Sequence, residues 1–226
     1  IQQAGYYSQG SKWTTMGYST IFGMINSVGQ PVFREASEDR QRLQNIFRKL
    51  MRFTAFVSFP AMLGLAIVSQ ELIVISITEK WLPCVPVMQI LCVWGAFMPI
   101  STLYSNLMNS IGRPNVYMWN TIALGIFQLL CVWGSYPYGL NIMLIVYTAA
   151  NIFWLLIWHY FAHKHIGISL LNTLKDIAPY LIISVAVMTF TYWVAGYVKN
   201  IYLSLLVKIA LAASLYIFLS LIHISE

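Results

Sequence analysis

The stretch LNIMLIVYTAANIFWLLIWHYF, Leu140–Phe161, runs for 22 residues without an aspartate, glutamate, lysine or arginine. About 20 consecutive apolar residues are enough to cross the hydrocarbon core of a bilayer as an α-helix, so this stretch predicts a transmembrane helix. The whole chain has the same character, because 59% of its 226 residues are hydrophobic and 9% are charged. A soluble domain carries about 25% charged residues. The composition therefore excludes a soluble enzyme, a disordered chain and a nucleic-acid binder, and it predicts a polytopic membrane protein.

Seven apolar stretches are each long enough to span a membrane. They are Trp13–Phe33, Phe53–Ile77, Cys84–Met108, Val116–Tyr136, Leu140–Phe161, Ile177–Val198 and Tyr202–Ile222. The predicted fold class is therefore all-α, a bundle of about seven transmembrane helices. The second stretch contains Pro60, which predicts a kink in that span.

The first stretch is the most polar of the seven. It contains threonine, serine, asparagine and glutamine side chains together with three glycines. Such side chains are costly against acyl chains, so we expect this span to line a protein interface or a wet cavity. Asn26 in particular should point into the bundle.

The basic residues of the loops are distributed unequally between the two sides of the membrane. One side carries nine: Arg34, Arg40, Arg42, Arg48, Lys49, Arg52, Arg113, Lys164 and Lys175. The other side carries three: Lys12, Lys80 and Lys199. Because lysine and arginine are enriched in cytoplasmic loops, this distribution predicts that the loops after spans one, three and five are cytoplasmic. The C-terminus is then cytoplasmic as well.

The charged segment Ser37–Leu50 has a pattern of its own. Ser37 is a candidate N-cap, with acidic residues in the first turn, and apolar residues recur at helical spacing against a basic face. This pattern predicts an amphipathic helix in the cytoplasmic interface. A basic collar is the simpler interpretation, and contact with anionic lipid headgroups is the second. The residues of that second hypothesis are Arg40, Arg42, Arg48, Lys49 and Arg52.

The sequence contains no phosphate-binding GK[ST] loop, H-E-x-x-H motif or G-x-S-x-G motif. His159 and His163 are spaced like metal ligands, but an interfacial aromatic and basic belt explains them better, so we predict no cofactor and no metal. Charged residues near or within spans are stronger functional candidates, because they are expensive there. Lys12 opens the first span and Lys208 lies in the last one, whereas Glu71 and Asp176 lie at span ends. Each lysine either snorkels to an interface or provides a positive lining for an anionic substrate.

Several short motifs resemble one family in their order and spacing. They are GYYSQGSKW (5–13), QPVF (30–33), SEDR (37–40), FRKLMR (47–52), FPAMLGL (59–65), EKWLP (79–83), QILC (89–92), GRP (112–114) and KDIAP (175–179). The chain is similar to the second half of Wzx-type lipopolysaccharide and polysaccharide biosynthesis flippases, of the multidrug/oligosaccharidyl-lipid/polysaccharide exporter superfamily. The chain begins without methionine and ends on an apolar run, so we expect it to be part of a longer protein.

The resemblance implies transport of undecaprenyl-pyrophosphate-linked oligosaccharide across the bacterial inner membrane. It also implies a two-lobed, alternating-access transporter, monomeric, with its first lobe earlier in the same chain. Residues 1–166 would then form part of the second lobe and residues 167–226 two additional helices. The family often has a basic residue at the position of Lys12. We expect Lys12, Tyr7, Asn26 and Lys208 to contact the substrate, and membrane lipids to be the other partners.

Three alternatives stay open at this point. A cation-coupled multidrug exporter on the same fold would need a membrane carboxylate, and a peptidoglycan-precursor flippase would share a cationic cavity. A membrane-embedded polysaccharide enzyme is the least favoured, since the predicted extracytoplasmic loops are short and nearly uncharged.

Overall fold

The computed structural model describes residues 2–198 and 200–225, with side chains from residue 3 to 198 and from 200 to 220. Lys199, one of the three basic residues counted on the less basic side, lies outside the described residues. Every regular element in the described part is helical, which confirms the all-α fold class. The helices are α1 (Gln2–Glu35), α2 (Arg40–Ile67), α3 (Ser69–Ser76), α4 (Val85–Ser110), α5 (Pro114–Ser135), α6 (Leu140–Ile166), α7 (Leu170–Ala195) and α8 (Ile201–Ser225). Short 3₁₀ turns, Glu79–Cys84 and Tyr136–Tyr138, precede α4 and α6.

Seven of these helices are long, and they correspond to the seven predicted spans. Six candidate membrane spans are found among the described residues, in α2 and in α4 to α8. The remaining long helix, α1, corresponds to the predicted polar first span but is not among these six, so its crossing of the membrane stays a prediction. The chain is therefore a multi-pass membrane protein.

The predicted amphipathic helix is not a separate element, because it forms the first part of α2. Ser37 is not the cap. The helix begins at Arg40, and the carboxylate of Asp39 accepts hydrogen bonds from the backbone N–H groups of Gln41 and Arg42 at 2.9 and 3.0 Å. The apolar face lies inside the bundle rather than on lipid. Phe47 is fully buried, and its ring centroid lies 5.2 Å from that of Tyr104.

The second predicted span consists of two helices in the structure. Helix α2 continues through Pro60 to Ile67, and the chain then breaks at Val68, where φ is −93° and ψ is 1°. Helix α3 starts at the next residue. The break leaves the carbonyl group of Ile67 free of the helix hydrogen bond that it would otherwise accept, and a side chain of α8 uses it, as described below.

Helix α4 is at the centre of the bundle, where it packs against α1, α2 and α6. Its Met88, Ile100 and Leu107 side chains are at most 1% exposed. Helix α5 lies on the outside against α6, and α7 packs on α2. Helix α8 packs on α7, α2 and α3, and a small apolar cluster between α7 and α8 includes Met188 and Tyr216. The predicted domain boundary falls at the end of α6, and the division into two domains there stays a prediction.

Candidate functional site

Helix α1 has one face that packs closely against the rest of the bundle. A β-carbon at Gly10 would lie 2.9 Å from Cγ1 of Val87 in α4, and one at Gly17 would lie 2.6 Å from Cδ2 of Leu65 in α2. These distances are shorter than real contacts allow, so the two glycines let the helices approach closely. Ile21 and Ile25 are buried on the same side, at 7% and 6% exposure.

The opposite face of α1 carries an exposed row of small and polar residues, which we call the polar stripe. It consists of Ser8, Lys12, Thr15, Ser19, Gly23, Ser27, Gln30 and Arg34, all of them exposed. Met16, Met24 and Val28 are also exposed, on or beside this stripe. Successive members are three or four residues apart, so they line one side of a single helix. At 1.5 Å per residue the stripe is roughly 39 Å long. It is therefore long enough to cross the hydrocarbon core of a membrane, which is about 30 Å thick.

Helix α5 provides the comparison within the same molecule, because it also has one exposed face. That face is apolar, with Trp119, Ile126, Leu129 and Trp133 exposed at 65%, 56%, 72% and 80%. An apolar face of this kind is compatible with acyl chains. The polar stripe is not, because polar side chains inside a membrane face protein or a water-filled cavity. The two exposed faces therefore require different surroundings.

An amide cluster lies near the C-terminal end of α1. Asn106 of α4 donates a hydrogen bond to Oδ1 of Asn26 at 2.9 Å, and Gln30 donates one to Oδ1 of Asn106 at 3.2 Å. The hydroxyl group of Ser110 donates to the backbone carbonyl of Gln30 at 3.3 Å. Asn26, Gln30 and Ser110 border a cleft of about 790 Å³ that Arg34 also lines. The expectation that Asn26 points into the bundle is confirmed by its hydrogen bond to α4.

The structure distributes the four predicted substrate-contacting residues over two regions. Lys12 is exposed and lies on the polar stripe, within α1 rather than at its start. Tyr7 is 43% exposed and lies on the same helix. Two aromatic neighbours of Lys12 turn away from it. The ring of Tyr6 packs edge-on against Trp81 at 6.2 Å, and Trp13 packs against the core.

Lys208 lies elsewhere, on α8, and its charge is neutralised. Its Nζ donates to Oε1 of Glu71 at 2.6 Å and to the free carbonyl of Ile67 at 2.9 Å. Ser204 donates to the same carboxylate oxygen at 2.9 Å. The Lys208 and Glu71 side chains are 7% and 10% exposed, so Lys208 does not snorkel to an interface. An ion pair between α8 and α3 therefore replaces the snorkelling interpretation, and a substrate contact of Lys208 stays a prediction.

The five basic residues of α2 that were candidates for lipid contact have different partners. Arg40 donates to the carbonyl of Ile166, and Arg42 pairs with Glu35 at 2.6 Å on the surface. Arg48 and Arg52 both approach Asp176 of α7, at 2.7 and 3.4 Å. Lys49 is exposed beside them.

His159 lies inside the bundle rather than in an interfacial belt. It is 6% exposed, and its Nδ1 lies 3.1 Å from the hydroxyl group of Tyr104. Among the described residues no group of three histidine, cysteine, aspartate or glutamate side chains is arranged to hold a metal ion.

Comparisons with known proteins agree with the resemblance seen in the sequence. Residues 1–86 match the family model described as polysaccharide biosynthesis protein. An uncharacterized membrane protein in the cps region of Klebsiella pneumoniae is 30% identical over 110 residues, which are 48% of this chain and 23% of that protein. The lipopolysaccharide biosynthesis protein WzxC of Escherichia coli (strain K12) is 30% identical over 105 residues, 46% of this chain and 21% of WzxC. The resemblance to this family is confirmed.

The similarity extends to a protein of another bacterium and to a solved structure. The teichuronic acid biosynthesis protein TuaB of Bacillus subtilis (strain 168) is 24% identical over 124 residues, 54% of this chain and 26% of TuaB. The fold matches the lipid II flippase MurJ in an inward closed conformation, with a TM-score of 0.73 and 18% identity. That match covers 97% of this chain and 46% of MurJ. The chain thus shares its fold with about half of MurJ, and its alignments span about a quarter of its curated relatives.

Proposed function

We propose that this chain is the second half of a flippase that moves an undecaprenyl-pyrophosphate-linked oligosaccharide across the bacterial inner membrane for polysaccharide biosynthesis. The observation that carries this proposal is the polar stripe. A helix with a stripe of this length and polarity needs water, protein or a polar substrate beside it. A cavity between this chain and a first lobe would place water, the other lobe and the polar substrate beside this helix at different stages of transport. The described residues show no motif for an enzyme, and the proposal is a non-enzymatic transporter without a cofactor.

The side chains of the stripe suit both polar parts of such a substrate. Hydroxyl and amide groups exchange hydrogen bonds with sugar hydroxyls, and Thr15, Ser19 and Gln30 provide them along the path. Lys12 provides the positive charge for the pyrophosphate. Asn106 is buried and holds Asn26 and Gln30 by hydrogen bonds, so these two side chains are pre-organised at one end of the stripe.

The orientation of the proposed transporter follows from the loop charges. The α1–α2 loop and the end of α6 would face the cytoplasm, with the amide cluster near that side and Lys12 near the periplasm. Alternating access would then expose the two ends of the stripe in turn. The first lobe, proposed to precede residue 1 in the same monomeric chain, would complete the cavity.

Two alternative substrates are distinguished in different ways, one by an experiment and one by the structure. A peptidoglycan-precursor flippase also carries a lipid pyrophosphate, so replacement of one gene by the other in complementation assays distinguishes the two. A cation-coupled drug exporter needs an unpaired membrane carboxylate. The two buried carboxylates among the described residues, Glu71 and Asp176, are both in ion pairs, which favours the lipid-linked substrate.

Charge variants of Lys12 in the full-length protein test the proposal. Lys12→Ala should reduce export of lipid-linked oligosaccharide at unchanged membrane abundance, Lys12→Arg should retain most of it, and Lys12→Glu should be the most impaired. The attraction depends on charge and is strengthened by a local dielectric constant of about 20 instead of 80. Lys80→Glu is the matched control, because Lys80 is also exposed and predicted on the same side. Normal export by Lys12→Glu at normal abundance would refute the role of Lys12.

A further inference from the structure

We infer that a groove between α2 and α7 binds the phosphate group of an anionic membrane lipid, independently of the transport path. Asn45, Arg48, Lys49 and Arg52 of α2 and Tyr180 of α7 line this groove, which we call the basic groove. The four α2 residues are spaced i, i+3, i+4 and i+7, so they form one face of the helix. Its volume is about 480 Å³, and it is open to the surroundings.

Asp176 arranges the cations of the basic groove without cancelling their charge. The carboxylate accepts two hydrogen bonds from Arg48, from Nε at 2.7 Å and from Nη2 at 3.0 Å. Arg52 Nε lies 3.4 Å from the same carboxylate. Asp176 is 6% exposed, whereas Arg48 and Arg52 are 35% and 50% exposed. One buried carboxylate thus fixes two guanidinium groups. The groove keeps a net charge of +2, because Arg48, Lys49 and Arg52 are balanced by Asp176 alone.

The position of the basic groove along the helices matches the level of a lipid headgroup. Arg52 is the last charged residue before the apolar part of α2, which starts at Phe53, and Asp176 has the same relation to Ile177 in α7. The ion pairs therefore bring the polar–apolar boundaries of both helices to one level. Phe53 follows Lys49 by one helical turn and is 50% exposed. It offers an apolar surface to an acyl chain directly next to the cations.

The chemistry of the groove favours an anionic ligand over a neutral one, and at the headgroup level of a membrane that anion is a lipid phosphate. Guanidinium groups bind phosphate oxygens in a bidentate manner, and a lysine adds an adjustable point charge. Each basic residue at the surface of an anionic membrane changes lipid affinity by about fivefold. Arg40 and Arg42 are excluded from this site, since they are bound to Ile166 and Glu35. The inference thus assigns lipid binding to three of the five basic residues of α2 that were candidates for it.

Lipid titration of the full-length protein, followed by native mass spectrometry, tests this inference. The wild type should bind one phosphatidylglycerol at least about fivefold more tightly than phosphatidylcholine. Lys49→Gln should weaken the binding of phosphatidylglycerol about fivefold, and the double variant Lys49→Gln/Arg52→Gln should weaken it about 25-fold. Lys164→Gln is the matched control, because Lys164 is an exposed lysine at the end of α6 and lies outside the groove. It should leave the affinity unchanged.

Three results would overturn the inference. The first is the absence of any preference for phosphatidylglycerol in the wild type. The second is an equal loss from Lys164→Gln and Lys49→Gln, since this would indicate a diffuse basic collar. The third is displacement of the lipid by inorganic phosphate at matched ionic strength, which would assign the groove to free phosphate. Lys12→Glu should leave lipid binding intact, so this inference and the proposed transport function fail separately.

Discussion

Replacement of Lys208 by methionine should destabilise the protein by about 3 kcal/mol or more. The change removes the ammonium group that neutralises Glu71 and leaves that carboxylate buried between α3 and α8. It also removes the donor to the carbonyl of Ile67, which the break at Val68 leaves without a helix partner. Ser204 alone would then donate to the carboxylate.

The magnitude follows from the distance and burial of the pair. Two unit charges 2.6 Å apart attract each other by about 6 kcal/mol at an effective dielectric constant of about 20. Desolvation of both ions offsets much of this attraction in the intact pair. Removal of one ion leaves the desolvation cost of the other, so the loss amounts to about 3–5 kcal/mol. The double variant Glu71→Gln/Lys208→Met should recover most of it, because no buried charge remains.

Thermal unfolding of the full-length protein in detergent measures this effect. A loss of about 3 kcal/mol lowers the Tm of a domain of this size by roughly 6–12 °C, and we expect a smaller decrease for the larger full-length protein. The surface pair of Arg42 and Glu35 is the matched control, because its distance is also 2.6 Å but its side chains are 55% and 69% exposed. Arg42→Met should cost less than about 1 kcal/mol. Equal Tm values for Lys208→Met and Arg42→Met would refute the reasoning that burial sets the cost.

Two further predictions concern the topology and the packing of α1. A cysteine at Gln41 should resist a membrane-impermeant thiol reagent in intact cells and one at Tyr138 should react; the reverse pattern would contradict the orientation given by the loop charges. Gly10→Ala should destabilise the protein by about 1–3 kcal/mol, because its β-carbon would lie 2.9 Å from Val87. Gly23→Ala, whose β-carbon meets no described atom within 4 Å, should be neutral or stabilise the helix by up to about 1 kcal/mol. Equal unfolding temperatures of these two variants would show that α1 does not depend on close packing at Gly10.

Hydropathy predicted the fold class because the property that places a helix in a membrane is local to each segment. The polarity of the first span and the inward direction of Asn26 were predictable for the same reason. Asn106 was missed, although its spacing to Asn109 and Ser110 gives α4 a polar edge near its end. The local pattern also favoured Ser37 as the cap of α2, where the structure uses Asp39.

The ion pairs could not be predicted from local patterns. Lys208 and Glu71 are 137 residues apart in the chain, and Arg48 and Asp176 are 128 apart. Only the packing of α8 on α3 and of α7 on α2 brings them together. Glu71 and Asp176 alone look like span-end charges, and snorkelling is the ordinary explanation for a lysine such as Lys208. The role of Lys12 stays a prediction, since its surroundings depend on the first lobe.

Thiol accessibility in the middle of α1 tests the central claim most directly. Ser19→Cys lies on the polar stripe, and Ile126→Cys lies on the exposed apolar face of α5. The experiment uses the full-length protein with its native cysteines replaced. A charged, water-soluble thiol reagent should label Ser19→Cys at least about tenfold faster than Ile126→Cys, because a charged group is excluded from lipid. Bound lipid-linked oligosaccharide should slow the labelling of Ser19→Cys alone. Equal protection of both cysteines would contradict a water-filled path along α1 and, with it, the proposed transport function.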